Sequence, residues 1–257
     1  MDLSVVIPVR NEAANIALLV AEIATALDGL IAYEIVYVDD GSTDTTAAEI
    51  LRLRPQPRLL RHARSCGQSA AIRTGVRAAR AKWVATLDGD GQNDPADLPF
   101  LWGMARAAPE SPPLLIAGFR RHRQDSWSKR AASRAANRIR ARLLGDDTPD
   151  TGCGLKLFPR ALFLDLPDFD HMHRFLPALV LRAGGTVRSV PVNHRPRRRG
   201  VSKYGVLDRL GVGIVDLFGV LWLQRRAARP HLVGEAPVEA VEPLPDRSVS
   251  PPVSALR

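Results

Sequence analysis

A doubly wound, mostly parallel α/β sheet is the fold this sequence predicts, and three observations carry the prediction. Short apolar runs recur along the first half, each followed by a stretch with apolar residues at helical spacing. Acidic turns follow two of those runs, where open α/β sheets bind ligands at the carboxyl ends of their strands. The composition, 46% hydrophobic and 25% charged over 257 residues, excludes global disorder and suits one large domain with an appendage.

Residues 4–8 are the first apolar run, and residues 13–27 carry Ile16, Leu19, Val20 and Ile23 on one helical face. Residues 34–38 form the second strand, and Thr43 or Asp44 caps a helix that runs to Leu53. A third strand at 58–61, a helix at 69–81, a fourth strand at 83–87, a helix after Asp94-Pro95 and a fifth strand at 114–117 continue the alternation. The second half is less regular: an Arg-rich helix over 126–144, a short strand at 155–158, a helix at 171–183, a strand at 186–194 and a basic loop at 195–203. The sheet domain is thus expected over 1–203 and an amphipathic helix over 204–226. A tail rich in Pro, Val and Glu over 227–257 has no structural period and reads as disordered.

The chain has 36 Lys+Arg against 27 Asp+Glu, a net charge of +9. Only Lys82, Lys129, Lys156 and Lys203 are lysines; the rest are arginines, whose planar fork suits phosphate and carboxylate. The excess points to an anionic partner without choosing among nucleic acid, phospholipid and nucleotide. Cys66 and Cys153 are the only cysteines and form no Cys-x-x-Cys unit, which excludes a disulfide scaffold and fits free thiols in a reducing cytoplasm. The start Met-Asp-Leu-Ser enters the first strand without a signal-peptide pattern. The segment 204–223 holds Asp208, Arg209 and Asp216, too many charges for a span of ~20 apolar residues. It fits a helix lying on a membrane surface, with an ordinary core or dimer helix as the alternative.

The densest chemistry lies in Leu87-Asp88-Gly89-Asp90-Gly91-Gln92-Asn93-Asp94-Pro95. Two carboxylates one residue apart on extended backbone point the same way and repel unless a cation lies between them. Oxygen ligands of this kind suit Mg²⁺ or Mn²⁺ completed by substrate phosphates. An EF-hand is excluded by Asn93 and Pro99 at the positions that need Gly and Glu. The turn Asp39-Asp40-Gly41-Ser42-Thr43-Asp44 ends a second strand in the same crevice, where a carboxylate can meet ribose or a base edge, and Pro8, Asn11 and Glu12 line the same rim. Neither Gly-x-Gly-x-x-Gly after the first strand nor a P-loop is present, so phosphates must be held by metal and arginine. His171 and His173, two apart on the expected helix, diverge and make a poor zinc pair, and Cys153 reads as packing.

The segments 5–12, 38–44 and 88–92 together resemble glycosyltransferase family 2, which has the GT-A fold. Asp-Thr-Gly-Cys-Gly-Leu-Lys (150–156), His-Arg-Phe-Leu-Pro (173–177) and Arg-Arg-Arg-Gly-Val-Ser-Lys-Tyr-Gly (197–205) look like its dolichyl- or polyprenyl-phosphate branch, the mannosyltransferase-like enzymes. The resemblance covers about residues 3–224. It implies an inverting transferase that moves mannose or a related hexose from a GDP- or UDP-linked donor to a polyprenyl phosphate, with no nucleic-acid partner. It places Pro8, Glu12, Asp39, Asp88 and Gly89 at the nucleotide and Asp88, Asp90 and Gln92 at Mg²⁺ or Mn²⁺. Asp90, Arg120, Arg197 and Lys203 would serve catalysis and phosphate binding, and Lys129, Arg130 and Ser133 the acceptor phosphate. His173 or Arg174 would orient the acceptor. Arg10 stands where mannosyl enzymes often have an aromatic, and paired C-terminal transmembrane helices are missing, so attachment is expected to be peripheral on the cytoplasmic face. A lipid phosphate is already an anion near neutral pH and needs no general base. The alternative, transfer to a saccharide or lipid hydroxyl, would need Asp150 or Asp170 as base. A basic nucleic-acid binder explains the arginines but neither acidic turn.

Overall fold

The structure is a computed structural model that describes residues 1–120, 140–197 and 206–226. Seven strands form one sheet: β1 (Leu3–Val9), β2 (Tyr33–Asp39), β3 (Arg58–Arg61), β4 (Trp83–Thr86), β5 (Leu114–Arg120), β6 (Lys156–Pro159) and β7 (Thr186–Val192). Their order is β3-β2-β1-β4-β6-β5-β7. Helices α1 (Ala13–Leu27), α2 (Thr46–Arg52), α3 (Gln68–Ala78) and α4 (Leu98–Ala107) connect the first five strands. Helices α5 (Arg160–Leu164), α6 (Leu176–Arg182) and α7 (Val206–Arg225) follow β6 and β7.

Alternation along the strands divides the core into two layers. Val5 and Ile7 of β1, Ile35 and Tyr37 of β2, and Leu114 and Ile116 of β5 pack with Ile16, Leu19 and Ile23 of α1. Their neighbours Val6, Val36, Leu115 and Ala117 face the other way, onto Ile72 and Val76 of α3 and Leu176 and Leu179 of α6. Coverage of both faces explains why β1 and β5 read as nearly unbroken apolar runs, whereas β7, exposed along much of its length, does not.

The mostly parallel sheet expected from the sequence is found, with one strand of opposite direction, and one expected helix is revised. β6 runs antiparallel to both β4 and β5, so the sheet is mixed. Strand direction leaves no trace in periodicity, and a short apolar run reads the same either way. The helix expected over 171–183 is a 3-10 turn at Met172–Arg174 followed by α6, because Pro177 lacks the N–H that a helix interior needs and sits instead in the first turn of α6. His171 itself is left-handed, with φ 61°. Of the Arg-rich helix expected over 126–144, residues 140–144 are helical and the remainder lies outside the described residues, as do the loop 198–205 and the tail 227–257.

The stretch that returns to β6 is held by a buried ion pair, Arg140 Nη2 to Asp146 Oδ1 at 2.9 Å. Burial raises the Asp146 carboxyl to about 6 and lowers Arg140, so for both groups desolvation outweighs the pairing. Such a pair adds little over apolar packing, yet removing one partner leaves an uncompensated buried charge. Asp146→Ala is expected to destabilise the fold by about 3 kcal/mol, and Asp146→Leu with Arg140→Met by clearly less, as read by urea denaturation.

Candidate active site

The strand directions collect the chemistry at one edge. β1, β2 and β4 run parallel, so Asn11 and Glu12, Asp39 and Asp40, and Asp88 follow their carboxyl ends side by side. β5 ends at Arg120, and β7, parallel to it, ends beside residues 193–197. β6 is antiparallel, so its beginning lies at this same edge and adds residues 150–156 to the site.

The first two motifs are woven together. Asn11 N donates to Ser42 Oγ at 2.9 Å, Thr43 N to Asn11 Oδ1 at 2.7 Å, and Glu12 N to Thr46 Oγ1 at 2.9 Å. Asp39 is fully buried, accepts from Ser42 N at 2.9 Å and meets Arg61 Nε at 3.1 Å. Asp40 accepts from Cys66 N, Gly67 N and Ser65 Oγ and meets His62 Nδ1. Burial acts to raise its pKa, but these bonds prevail and hold the carboxyl below its usual range. Asp40 with His62 and Cys66 is a cluster of metal-ligating types, yet that carboxylate is already filled by donors. Asp44 Oδ1 accepts from Thr46 N at 2.9 Å, so the α2 start relies on Asp44 although Thr45 is the cap position. Glu12 is buried and accepts from Asn15 Nδ2 at 2.7 Å and from Arg197 Nη2. Pro8 lies opposite Val38 in the β1–β2 register.

Asp88 lies just beyond β4, and Gly89 and Asp90 form a turn, so the two carboxylates are set by that turn and not by strand alternation. Gly89 is buried, and a Cβ there would lie 2.4 Å from Val9 Cγ1, so the turn packs against β1 only because the residue is glycine. Asp88 Oδ1 accepts from Gln68 Nε2 at 2.9 Å, and Asp88 N donates to Asn93 Oδ1 at 3.0 Å. Burial first, and the Asp90 charge second, raise Asp88 to about 6, against the pull of Lys156 and Arg120. Two carboxylates one residue apart, one of them kept from ionising chiefly by burial, are a donor set suited to a hard divalent cation, so the residues present fit Mg²⁺ or Mn²⁺. Gln92 N donates to Asp90 Oδ1 at 3.1 Å, while its side-chain Nε2 lies 3.5 Å from both His194 Nε2 and the Arg195 carbonyl, on the far side of the turn.

The basic residues of the site are paired with acids. Arg120 holds Asp150 through Nε at 2.6 Å and Nη2 at 2.8 Å; burial opposes its charge, but the pairing prevails and raises its pKa. Arg195 grips both oxygens of Glu22, at 2.9 and 2.7 Å. Lys156 was read only as part of a motif, yet it is buried, its pKa is lowered by burial, and its Nζ donates to the carbonyls of Thr151 and Cys153. A lysine inside the apolar run Leu155–Phe158, in a chain that otherwise uses arginine, was the available signal. Gln68 and Glu22 gave none, because helix surfaces are full of such residues. Cys153 is buried, which raises its thiol pKa, as packing requires. His173 meets Ser69 Oγ through Nδ1 at 2.7 Å, and burial, then the Lys156 charge, push its pKa well below the usual value, while His171 Nδ1 lies 3.2 Å from Asp216. Lys129, Arg130, Ser133 and Lys203 fall outside the described residues.

Comparison with known proteins accords with this geometry. Residues 4–166 match the family described as Glycosyl transferase family 2. The chain is similar to a dodecaprenyl-phosphate galacturonate synthase of Rhizobium johnstonii, 34% identical over 246 residues, covering 91% of this chain and 71% of the relative. It is also similar to an undecaprenyl-phosphate 4-deoxy-4-formamido-L-arabinose transferase of Edwardsiella ictaluri, 36% identical over 215 residues, 81% of this chain and 65% of the relative, so it spans under two thirds of that protein. The names of these two relatives specify a galacturonate and a formamido-arabinose, not mannose. In fold it is similar to glucosyl-3-phosphoglycerate synthase of Mycobacterium tuberculosis in complex with Mn²⁺, UDP and glucosyl-3-phosphoglycerate, with TM-score 0.63 at 21% identity, covering 87% of this chain and 79% of that one. The motifs at the sheet's carboxyl edge, the GT-A-like architecture and the family match agree: this chain belongs to glycosyltransferase family 2.

Proposed function

We propose that the protein transfers a sugar, with inversion, from a UDP-linked donor to a polyprenyl phosphate at a membrane surface. The observation that carries the reading is the state of the acids around the site. The charge of Asp90 helps raise the Asp88 carboxyl, as expected of acids placed to share a cation, whereas Asp150, which a hydroxyl acceptor would need as base, is held by Nε and Nη2 of Arg120. Asp170, the other base expected from sequence, accepts from His171 N at 2.8 Å. Among the described residues one of the two candidate bases, Asp150, is thus held in an ion pair, which suits an acceptor that arrives already ionised. The relatives named for dodecaprenyl and undecaprenyl phosphate support the same class. They also favour a uronic acid or a modified pentose over mannose as the sugar, and the structures bearing Mn²⁺ or Mg²⁺ with UDP favour UDP over GDP.

In this reading Asp88 and Asp90 hold Mg²⁺ or Mn²⁺, and when bound the ion supplies positive charge against the diphosphate leaving group. The protein's own residues do the rest. Pro8, Glu12, Asp39 and Gly89 line the nucleotide end. Arg120 and Arg197, with Lys203 assigned from sequence, balance the charge of two anionic reactants brought together. The acceptor phosphate falls to Lys129, Arg130 and Ser133, also from sequence. The lipid oxyanion attacks the anomeric carbon from the side opposite the UDP oxygen, whose bond breaks, which inverts the configuration.

The deciding assay follows radiolabelled sugar from UDP-galacturonate, UDP-linked formamido-arabinose, UDP-glucose and GDP-mannose into organic-extractable lipid with undecaprenyl phosphate and Mn²⁺. Label in the lipid phase with one UDP donor and an inverted product is expected. Transfer to a saccharide instead, or a retained configuration, would overturn the reading.

Membrane attachment is assigned to α7. Among the described residues no helix is long and apolar enough to cross a membrane. Yet Ile214, Val215, Phe218 and Trp222 of α7 are 55–71% exposed and share one face by their spacing, while Val220 is buried on the other. Arg225 and Arg226 follow, with the Arg226 guanidinium 5.9 Å from the Trp222 ring. An apolar face ending in arginines is the pattern of a helix seated on anionic lipid. The full chain should sediment with vesicles containing phosphatidylglycerol, and Phe218→Ser with Trp222→Ser should weaken that binding at least about tenfold, since each side chain withdraws apolar area from the bilayer.

A further inference from the structure

The segment that leaves β7 makes a set of contacts that the chemistry above does not use. Asn193 donates through N and Nδ2 to the two carboxylate oxygens of Asp97, at 2.7 and 3.2 Å. His194 forms an isolated antiparallel bridge with Asn93, and Arg195 N donates to the Gln92 carbonyl at 2.9 Å. The Arg195 side chain then reaches past the turn to α1, taking both oxygens of Glu22 and adding a bond from Nη2 to the Asn93 carbonyl at 3.0 Å. One small cavity lies between these parts, lined by Asn15, Leu19, Glu22, Asp90, Gly91 and Arg195.

The turn needs such support. Gly89 and Gly91, the latter at φ 73°, flank Asp90 and make its backbone permissive, so fixing it costs more conformational entropy than for other residues. A clamp that fixes the turn in advance lowers the ordering cost that metal binding would otherwise meet. Arg195 opens the basic loop 195–203. Its charge is matched by Glu22, with Asp94 Oδ1 a further 4.0 Å away.

We propose that Arg195 and Glu22 are positioning residues that clamp the Asp88–Asp90 turn between the exit of β7 and α1, and so set the protein's affinity for its divalent cation. The proposal rests on the reading that this turn holds the metal, and the experiment separates the two. Mn²⁺ is titrated into the full chain in the presence of UDP and followed by the electron paramagnetic resonance of free Mn²⁺, for wild type, Glu22→Gln, Glu22→Ala, Arg195→Lys, Asp90→Ala and the exchanged pair Glu22→Arg with Arg195→Glu. Supporting outcomes are Mn²⁺ binding weakened about tenfold in Glu22→Ala, as for outer-shell groups of metal sites generally, less in Glu22→Gln and Arg195→Lys, with affinity largely recovered in the exchanged pair. Sugar transfer by Glu22→Ala should return at saturating Mn²⁺, with the donor KM near that of wild type. Wild-type Mn²⁺ affinity in both Glu22 variants, with circular dichroism showing them folded, overturns the clamp. A raised donor KM at saturating Mn²⁺ in Arg195→Lys alone overturns it in favour of a phosphate ligand. Wild type binding no Mn²⁺, or Asp90→Ala binding it normally, overturns the metal site itself.

Discussion

Asp90→Ala is expected to fold normally and to lose sugar transfer by about three orders of magnitude, the upper range for removing one group that stabilises transition-state charge. The two halves of that expectation have separate causes. Structurally, Asp90 is a half-buried turn residue whose recorded bond is from Gln92 N to Oδ1 at 3.1 Å. Loss of one such bond costs about 1 kcal/mol. It also relieves the repulsion that helps raise Asp88. Functionally, one carboxylate remains where two were placed, too few to hold a hard cation against water and the donor diphosphate. Single-turnover transfer and thermal denaturation on the same preparation check both halves, and a folded variant with near-normal transfer would remove Asp90 from the chemistry.

Gly154→Ala should produce a comparable failure from a residue with no functional group. A Cβ at 154 would lie 2.2 Å from Asp88 Oδ2 and 2.3 Å from its Cγ. The backbone cannot retreat easily, because Gly154 O accepts from Thr86 Oγ1 at 2.7 Å and Leu155 O accepts from Gly118 N at 2.9 Å. The Asp88 carboxylate must therefore move, leaving Gln68 and the position it shares with Asp90. A displacement of roughly 1 Å in a reacting constellation costs about a hundredfold in rate. We expect a loss of that size in kcat/KM, with Mn²⁺ binding weakened and the melting temperature little changed. A stable variant with full activity would show that the β6 entry yields instead of Asp88.

Among the described residues, three arginines at this edge hold acids: Arg120 with Asp150, Arg197 with Glu12, Arg195 with Glu22. Each pairing orients its guanidinium group in advance, which lowers the side-chain entropy lost if it meets an anion. The same arrangement holds Asp150, one of the two carboxylates a hydroxyl acceptor would call on, in an ion pair.

Much of this was legible in the residues alone. The boundaries of α1 and β3 were read from apolar spacing as the structure has them, because burial of a local face is written every two or three to four residues. The acidic turns were placed at strand ends for the same reason, and the family followed from their order. What the sequence left open depends on which distant segments meet. The antiparallel insertion of β6 brings Lys156 and Gly154 against Asp88, and no period in residues 154–159 encodes that direction. Likewise, the arginines of 195–199, with Pro196 among them, read alike. Glu22, separated from Arg195 by most of the chain, makes one of them structural, while Arg197 two residues on pairs with buried Glu12 at the rim of the site. Local pattern fixes which side chains are buried and where turns fall, but the partner that a charge finds, and hence its role, is a long-range property of the folded sheet.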